Sequence, residues 1–262
     1  MNDRWPVLTK RTLTGIKALA AKKERDSAGK FIVEGWKSVA EAAAAGLPID
    51  IVLVDPTAVQ DRSVLSRIER SAGTVYSATA KEIGIVSDTV TAQGIIAVLP
   101  QFDHSSVLPS VLKRKESVIV ALDGINDPGN LGTIIRTCDW FGADAVLVSA
   151  DSVDVYNPKV VRATMGSLFH LPVITGADLP AVLAQCRTAG STIYSTELKR
   201  SEDLRTVNFP SRSVIIIGSE SHGVSAQVSA VAHQRIAIPR IGKAESLNAA
   251  MACGIVLARM KL

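Results

Sequence analysis

Two β-branched runs near the C-terminal end of the chain, each closed by a loop of small residues, limit most what it can fold into. Val214 to Ile217 is a β-branched apolar run of the length of a buried strand. Gly218 ends it, and Gly223 lets the chain turn again where a side chain would be in the way. Ile236 to Ile238 is a second short strand, stopped by Pro239. Ser246 and Asn248 then open an Ala-rich helix, whose buried face is expected to be Leu247, Ala250, Met251, Gly254 and Ala258. Small polar loops at the carboxyl ends of neighbouring strands make a ligand crevice in an α/β sheet. The glycines alone fit ordinary strand-to-helix turns equally well.

The chain has 262 residues, enough for one large or two modest domains. A hydrophobic share of 47% with 21% charged suits a soluble globular protein. No signal peptide and no apolar run of about 20 residues is apparent, and a cytoplasmic protein is expected. Cys138, Cys186 and Cys253 are widely spaced and form no CxxC pair, so neither a disulfide framework nor a zinc site is expected. Four scattered histidines give no metal centre either. The net charge of +4 is concentrated in residues 1–30, with eight Lys or Arg against three Asp or Glu. Such an arm suits contact with a phosphate backbone, and it also suits a solvated helix.

Along the chain, Thr12 to Arg25 reads as one helix, with Ile16, Leu19 and Ala20 inside and Lys17, Lys22, Lys23 and Arg25 outside. Strands are expected at 31–34, 49–54, 74–77 and 93–99, the last closed by Pro100, and helices at 36–45, 63–71 and 80–86. This makes an α/β/α domain over residues 1–102. Residues 103–116, polar and charged, read as a linker with one helical turn. The second domain, 117–262, opens with a strand over 117–122 and a helix over 131–141 that buries Leu131, Ile134, Ile135, Cys138 and Phe141. Arg136 falls off that buried stripe. A strand over 145–149, a helix over 158–165, an extended stretch over 168–174, a helix over 179–189 and a strand over 192–195 follow. Thr196 to Phe209 is expected as a polar loop over the site.

The turn Asp127-Pro128-Gly129-Asn130-Leu131-Gly132 leads into Arg136. Asn130 is placed to cap the helix, with Arg136 about one and a half turns on, within reach of a phosphate. Taken singly, these residues read better as a capping Asn and a surface Arg. Gly218 to Gly223 misses the hydrolase Gly-x-Ser-x-Gly spacing, and neither a Gly-x-Gly-x-x-Gly helix start nor a P-loop exists.

Three segments in this order, Asp-Pro-Gly-Asn-Leu-Gly-x-x-x-Arg136, Gly218-Ser-Glu-x-x-Gly223 and Ile238-Pro followed by Glu245-Ser-Leu-Asn248, resemble the SpoU (TrmH) branch of the SPOUT methyltransferases. Asn157 to Ser167 also matches a segment that the family places at its site and dimer interface. Lys30 to Gly35 and Gln93 to Ala97 resemble the L30e-like N-terminal domain of larger members. The resemblance implies an α/β chain with an L30e-like α/β/α domain and a SPOUT α/β domain ending in a trefoil knot. It implies S-adenosylmethionine as cofactor and an RNA ribose 2′-hydroxyl, expected in ribosomal RNA, as substrate. A tRNA substrate, or a non-catalytic RNA-binding protein with a decayed SPOUT domain, is the alternative. By the same resemblance Arg136 is catalytic, with Asn130, Glu220, Ser246 and Asn248 around the ribose. Thr196, Gly218, Ile238 and Leu247 then hold the cofactor, and the enzyme is a homodimer. Lys22, Lys23, Arg25, Glu34 and Gly35 are the candidate RNA contacts, although Glu34 equally suits a helix N-terminal carboxylate. A neutral leaving group calls for no metal. Ser221 and His222 depart from the family pattern, and His222 is expected to cap its loop.

Overall fold

A computed structural model describes residues 5–262, which form two units. The first runs to Phe102 and takes in Tyr156–Phe169, and the second holds Asp103–Val155 and His170–Leu262. Asp3 and Arg4, part of the basic arm, lie outside the described residues.

The expected single N-terminal helix is two, α1 (Lys10–Ala18) and α2 (Lys22–Ala28). Arg25 explains the break. Its Nη1 donates to the carbonyls of Leu19 at 2.9 Å and Ala20 at 2.7 Å, capping the end of α1 from the next helix. Ile16 and Leu19 are buried as expected, whereas Ala20 is exposed.

After α2 come β1 (Lys30–Glu34), α3 (Trp36–Ala44), β2 (Ile49–Val54), α4 (Arg62–Ser71), β3 (Ala72–Ser77), α5 (Ala80–Val86) and β4 (Ile95–Pro100). The sheet order is β1-β4-β2-β3, with β4 antiparallel to both neighbours and β2 parallel to β3. Pro100 belongs to the strand after all. It sits opposite Lys30, beyond the β2 pairing, which ends at Val98 and so needs no N–H from it.

The second unit begins with α6 (Val107–Val111), β5 (Ser117–Asp123), α7 (Pro128–Trp140) and β6 (Ala145–Ser149). The segment expected as a linker is therefore part of this unit, with Leu108 and Val111 buried in its core. The chain then gives α8 (Pro158–Ala163) to the first unit, where the Tyr156 ring lies 4.7 Å from Phe31. It returns through β7 (Val173–Ala177), α9 (Leu179–Thr188), β8 (Thr192–Thr196), β9 (Glu202–Asp203), β10 (Arg212–Gly218), α10 (Ala226–Ser229), β11 (Gln234–Ala237) and α11 (Ala249–Lys261). Where an extended stretch over 168–174 was expected, Ser167–Phe169 is a 3-10 turn and the strand starts only at Val173.

All seven strands of this sheet are parallel, in the order β7-β6-β5-β10-β8-β11-β9. Ile119, Ala121, Val214 and Ile216 pack with α6, α9 and α10 residues, while the alternate residues Val118, Val120 and Ile215 are buried too. Both faces of the central strands are therefore covered, as their unbroken apolar runs require. The strand order reverses between β5 and β10, which places a ligand crevice at the carboxyl ends beside that point.

In α11 the buried residues are Ala249, Ala250, Cys253, Val256 and Leu257, whereas Met251 is 61% exposed, and Leu247 just before it 47%. The expected face was rotated because this helix is apolar nearly all round and its sequence defines no unique stripe. Packing against α7 and β10 chooses the face instead.

Candidate active site

β10 ends in Gly218, and the loop after it folds back on itself. The Ser219 and Gly223 amides each donate to the other's carbonyl, at 3.2 and 2.9 Å. A Cβ on Gly218 would lie 2.1 Å from the Gly223 carbonyl carbon, so only glycine fits there. The close neighbour is the loop itself, so Gly218 shapes the crevice wall. The His222 amide donates to Ser219 Oγ at 3.1 Å, so Ser219 is the side chain that closes the turn, while the His222 ring lies 2.8 Å from Ser221 Oγ. At the far end of the loop the Ser225 amide donates to Asp123 Oδ2 at 2.7 Å, tying it to the end of β5.

This loop presents Glu220 to two other segments. Glu220 Oε1 accepts from Asn130 Nδ2 at 2.8 Å, from Asn248 Nδ2 at 2.6 Å and from the Ala249 amide at 3.3 Å. Asn248 Nδ2 also donates to Asn130 Oδ1 at 2.9 Å. Asn248 Oδ1 accepts from the Ala250 and Met251 amides, so this residue caps α11, a contribution of about 1 kcal/mol. The Glu220 carboxylate thus sits at the positive end of α11. Residues 90, 28 and 118 positions apart in the chain are joined here in one hydrogen-bonded cluster.

Asn130 is not the cap of its helix. Asp127 is, its Oδ1 accepting from the Asn130 amide at 2.7 Å, with Pro128 at the first helical position. Displaced to the third position of α7, Asn130 has its side chain free to reach Glu220. On the same helix Arg136 is exposed, and it has no hydrogen bond or ion pair among the described residues. Ser246 is exposed in the loop before α11 and lies outside the cluster.

The candidate cofactor residues lie at neighbouring strand ends. Thr196 closes β8, Gly218 closes β10, and Ile238 follows β11. Thr196 Oγ1 donates to the Ile216 carbonyl at 2.8 Å, so its hydroxyl clips β8 to β10. Leu247 and the half-buried Ile238 offer apolar surface to a neutral ring, and no charged side chain occupies these four positions. That chemistry fits the adenosine part of a nucleoside cofactor. Glu197, which sequence reasoning missed, is a hub beside Thr196. Its Oε1 accepts from Ser195 Oγ at 2.7 Å and Ser229 Oγ at 2.6 Å, and lies 3.4 Å from Arg235 Nε. Its partners come from separate elements, and no local pattern announces it.

The expected RNA contacts of the first unit fare differently. Arg25 is 2% exposed and occupied by the end of α1, so it is not available to a phosphate. Lys22 Nζ lies 2.6 Å from Asp26 Oδ2, and Lys23 is exposed. Glu34 has a nearly buried side chain that accepts from Ser87 Oγ and, at 2.8 Å, from Thr89 Oγ1. The Asp88 amide adds a third bond at 3.3 Å. Glu34 therefore holds the loop after α5. Gly35 is buried with φ +94°, and a Cβ there would meet Gln93 Oε1 at 2.9 Å. It is a conformational glycine at the end of β1.

Fold and site together define a parallel α/β domain with a polar cluster at its strand ends and an exposed Arg on the helix that carries Asn130. Residues 117–258 match the SpoU rRNA Methylase family, and residues 11–97 match an MRM3-like substrate binding domain. The 23S rRNA (guanosine(2553)-2′-O)-methyltransferase RlmP of Bacillus subtilis is 31% identical over 94% of both chains. An AdoMet-bound rRNA methyltransferase from Sinorhizobium meliloti superposes with a TM-score of 0.84 at 32% identity, over 97% of this chain and 95% of that one. The SpoU methyltransferase AviRb from Streptomyces viridochromogenes, in complex with AdoMet, gives 0.85 at 26% identity, over 96% and 97%. The chain belongs to the SpoU rRNA methylase family.

Proposed function

We propose that this protein transfers the methyl group of S-adenosylmethionine to a ribose 2′-hydroxyl of ribosomal RNA. The observation that carries the reading is the Asn130–Glu220–Asn248 cluster, built from three distant segments, one of them a helix that also exposes Arg136. Thr196, Gly218, Ile238 and Leu247 hold the cofactor, which when bound supplies an electrophilic methyl on a sulfonium. The cluster and Ser246 orient the ribose so that its oxygen lies in line with that methyl. Arg136 clamps a substrate phosphate and stabilises the charge developing on the 2′-oxygen. A guanidinium keeps its proton at neutral pH, so the hydroxyl proton goes to another acceptor.

Ribosomal RNA is favoured by the name of the B. subtilis relative and by the substrate-binding profile of the first domain. Lys23 on α2 remains a candidate phosphate contact, and α1 adds others. Lys10, Arg11 and Lys17 are exposed on a helix without an acidic residue, and none has an ion-pair partner among the described residues. To the same reading belong an L30e-like first domain, a trefoil-knotted C-terminal part and a cytoplasmic location. So does a homodimer, for which the exposed Trp140, Met251 and Ile255 on the paired helices α7 and α11 supply an apolar face.

The test is a map of ribose 2′-O-methylation in RNA from cells with and without the gene. One ribosomal nucleotide losing its methyl group is the expected result. A change confined to tRNA would move the substrate, and an unchanged map would leave an RNA-binding protein.

A further inference from the structure

The loop between β11 and α11 combines features that the cofactor role of Ile238 and Leu247 does not use. Residues 240–248 are all exposed. The tip reads Arg240-Ile241-Gly242-Lys243, and Ile241 is 96% exposed. An exposed isoleucine flanked by two cations matches a partner with an apolar interior and an anionic backbone. The loop is anchored at both ends, by β11 on one side and by Asn248 in the cluster on the other. Lys243 has no partner among the described residues, and Arg240 makes only a 3.4 Å contact to the Ala244 carbonyl within the loop.

A ribose in a duplex cannot enter a crevice at strand ends while its base stays stacked. Proteins that unstack nucleic acid insert apolar side chains between base steps, and enzymes that act on a nucleotide move it out of the stack. We propose that the Arg240–Lys243 tip is an RNA wedge. Ile241 enters the base stack next to the target ribose, while Arg240 and Lys243 hold the flanking phosphates. The inference rests on the RNA methyltransferase reading and adds a residue that opens the substrate.

The test uses the full-length protein and two RNAs that carry the mapped nucleotide, a hairpin and an unpaired oligonucleotide of the same local sequence. A 2-aminopurine beside the target reports unstacking. With the hairpin, the wild-type protein should raise its fluorescence on binding, and Ile241→Ala should raise it less. Single-turnover methyl transfer by Ile241→Ala should slow about tenfold on the hairpin, a fraction of the cost of unstacking a base step. On the unpaired RNA it should stay within about twofold, because nothing there needs opening. Ile241→Met should restore most of the hairpin rate. Equal slowing on both RNAs, or an undiminished fluorescence rise, would overturn the wedge. A weaker affinity for S-adenosylhomocysteine would make the tip a cofactor lid instead, and a change in sedimentation would make it a subunit contact. Either would also overturn it. An empty methylation map removes the reading and the wedge together. A mapped nucleotide with identical kinetics in Ile241→Ala removes the wedge alone.

Discussion

Each unit contains a cluster of polar side chains around a glutamate, and the two clusters end differently. In the first unit Glu34 accepts from Ser87, Thr89 and the Asp88 amide, and Arg162 lies 3.0 Å from Asp88 and 4.0 Å from Glu34. The cation there lies against two carboxylates, and the cluster holds a loop in place. In the second unit Glu220 joins Asn130 and Asn248, but Arg136 on the same helix as Asn130 has no partner among the described residues. A carboxylate that gathers donors is common to both. What separates a scaffold from a site is the cation left over, whose charge is available to a substrate.

Removing that cation should therefore give the largest effect. Arg136→Ala should lower single-turnover methyl transfer by at least about 100-fold, the range seen when one donor to a developing oxyanion is deleted. Thermal melting and affinity for S-adenosylhomocysteine should stay at wild-type values, because the side chain is exposed. Arg136→Lys should recover part of the rate if the residue acts as a point charge, and none of it if a bidentate fork on phosphate is required. A folded Arg136→Ala protein with wild-type rates would erase the contrast between the clusters.

The opposite expectation holds for the cation buried in the first unit. Arg25→Ala removes a guanidinium that donates to two helix-end carbonyls and leaves those acceptors without it. It should cost about 2–3 kcal/mol of stability, the range for bonds to charged groups, and be read as a lower melting temperature. Methyl transfer by the surviving folded fraction should be unchanged. Glu34→Gln should cost less, about 1 kcal/mol, because an amide oxygen still accepts from Ser87 and Thr89. If either variant instead kept its melting point and lost RNA affinity, the residue would return to the RNA surface.

These cases show how far the amino-acid order reaches. The strand ends at Gly218 and Ile238 and the order of the three segments were legible, because apolar runs and their glycine and proline stops are local signals. That Asn130, Glu220 and Asn248 belong together came from the family resemblance, and the hydrogen bonds between them are a result of folding alone. Asp127 as the true cap was missed because Asp and Asn serve equally at such positions, and the choice depends on where the first turn begins. Arg25 was misplaced because helical periodicity assumes that the helix continues, whereas here the residue itself marks the break. Cys138 and Cys253 are free thiols, as the spacing of the cysteines implies, but their nearness across α7 and α11 is not legible in sequence, and burial pushes the Cys138 thiol up. Long-range partners of this kind leave no trace in a single chain of letters.

The smallest effect separates α1 from α2, which both carry several cations and are adjacent in sequence. On α1, Lys10, Arg11 and Lys17 face solvent with no acidic residue in the helix, whereas α2 carries Glu24 and Asp26, and Lys22 is already paired with Asp26. A phosphate backbone releases counterions only for cations that it neutralises. Each of Lys10→Ala, Arg11→Ala and Lys17→Ala should therefore reduce the slope of log K against log salt by about 0.7–0.9. Near 0.15 M salt that is a loss of only a few-fold in RNA affinity, and it should be the same for matched and unmatched RNA sequences. Lys22→Ala should leave the slope where it is, because an ion already held by a carboxylate displaces little from the RNA. The measurement is a filter-binding or anisotropy titration at several salt concentrations, with melting curves to show that every variant is folded. Equal slopes for the α1 and α2 variants would mean that RNA does not distinguish the helices, and the α1 face would then be a solvated surface.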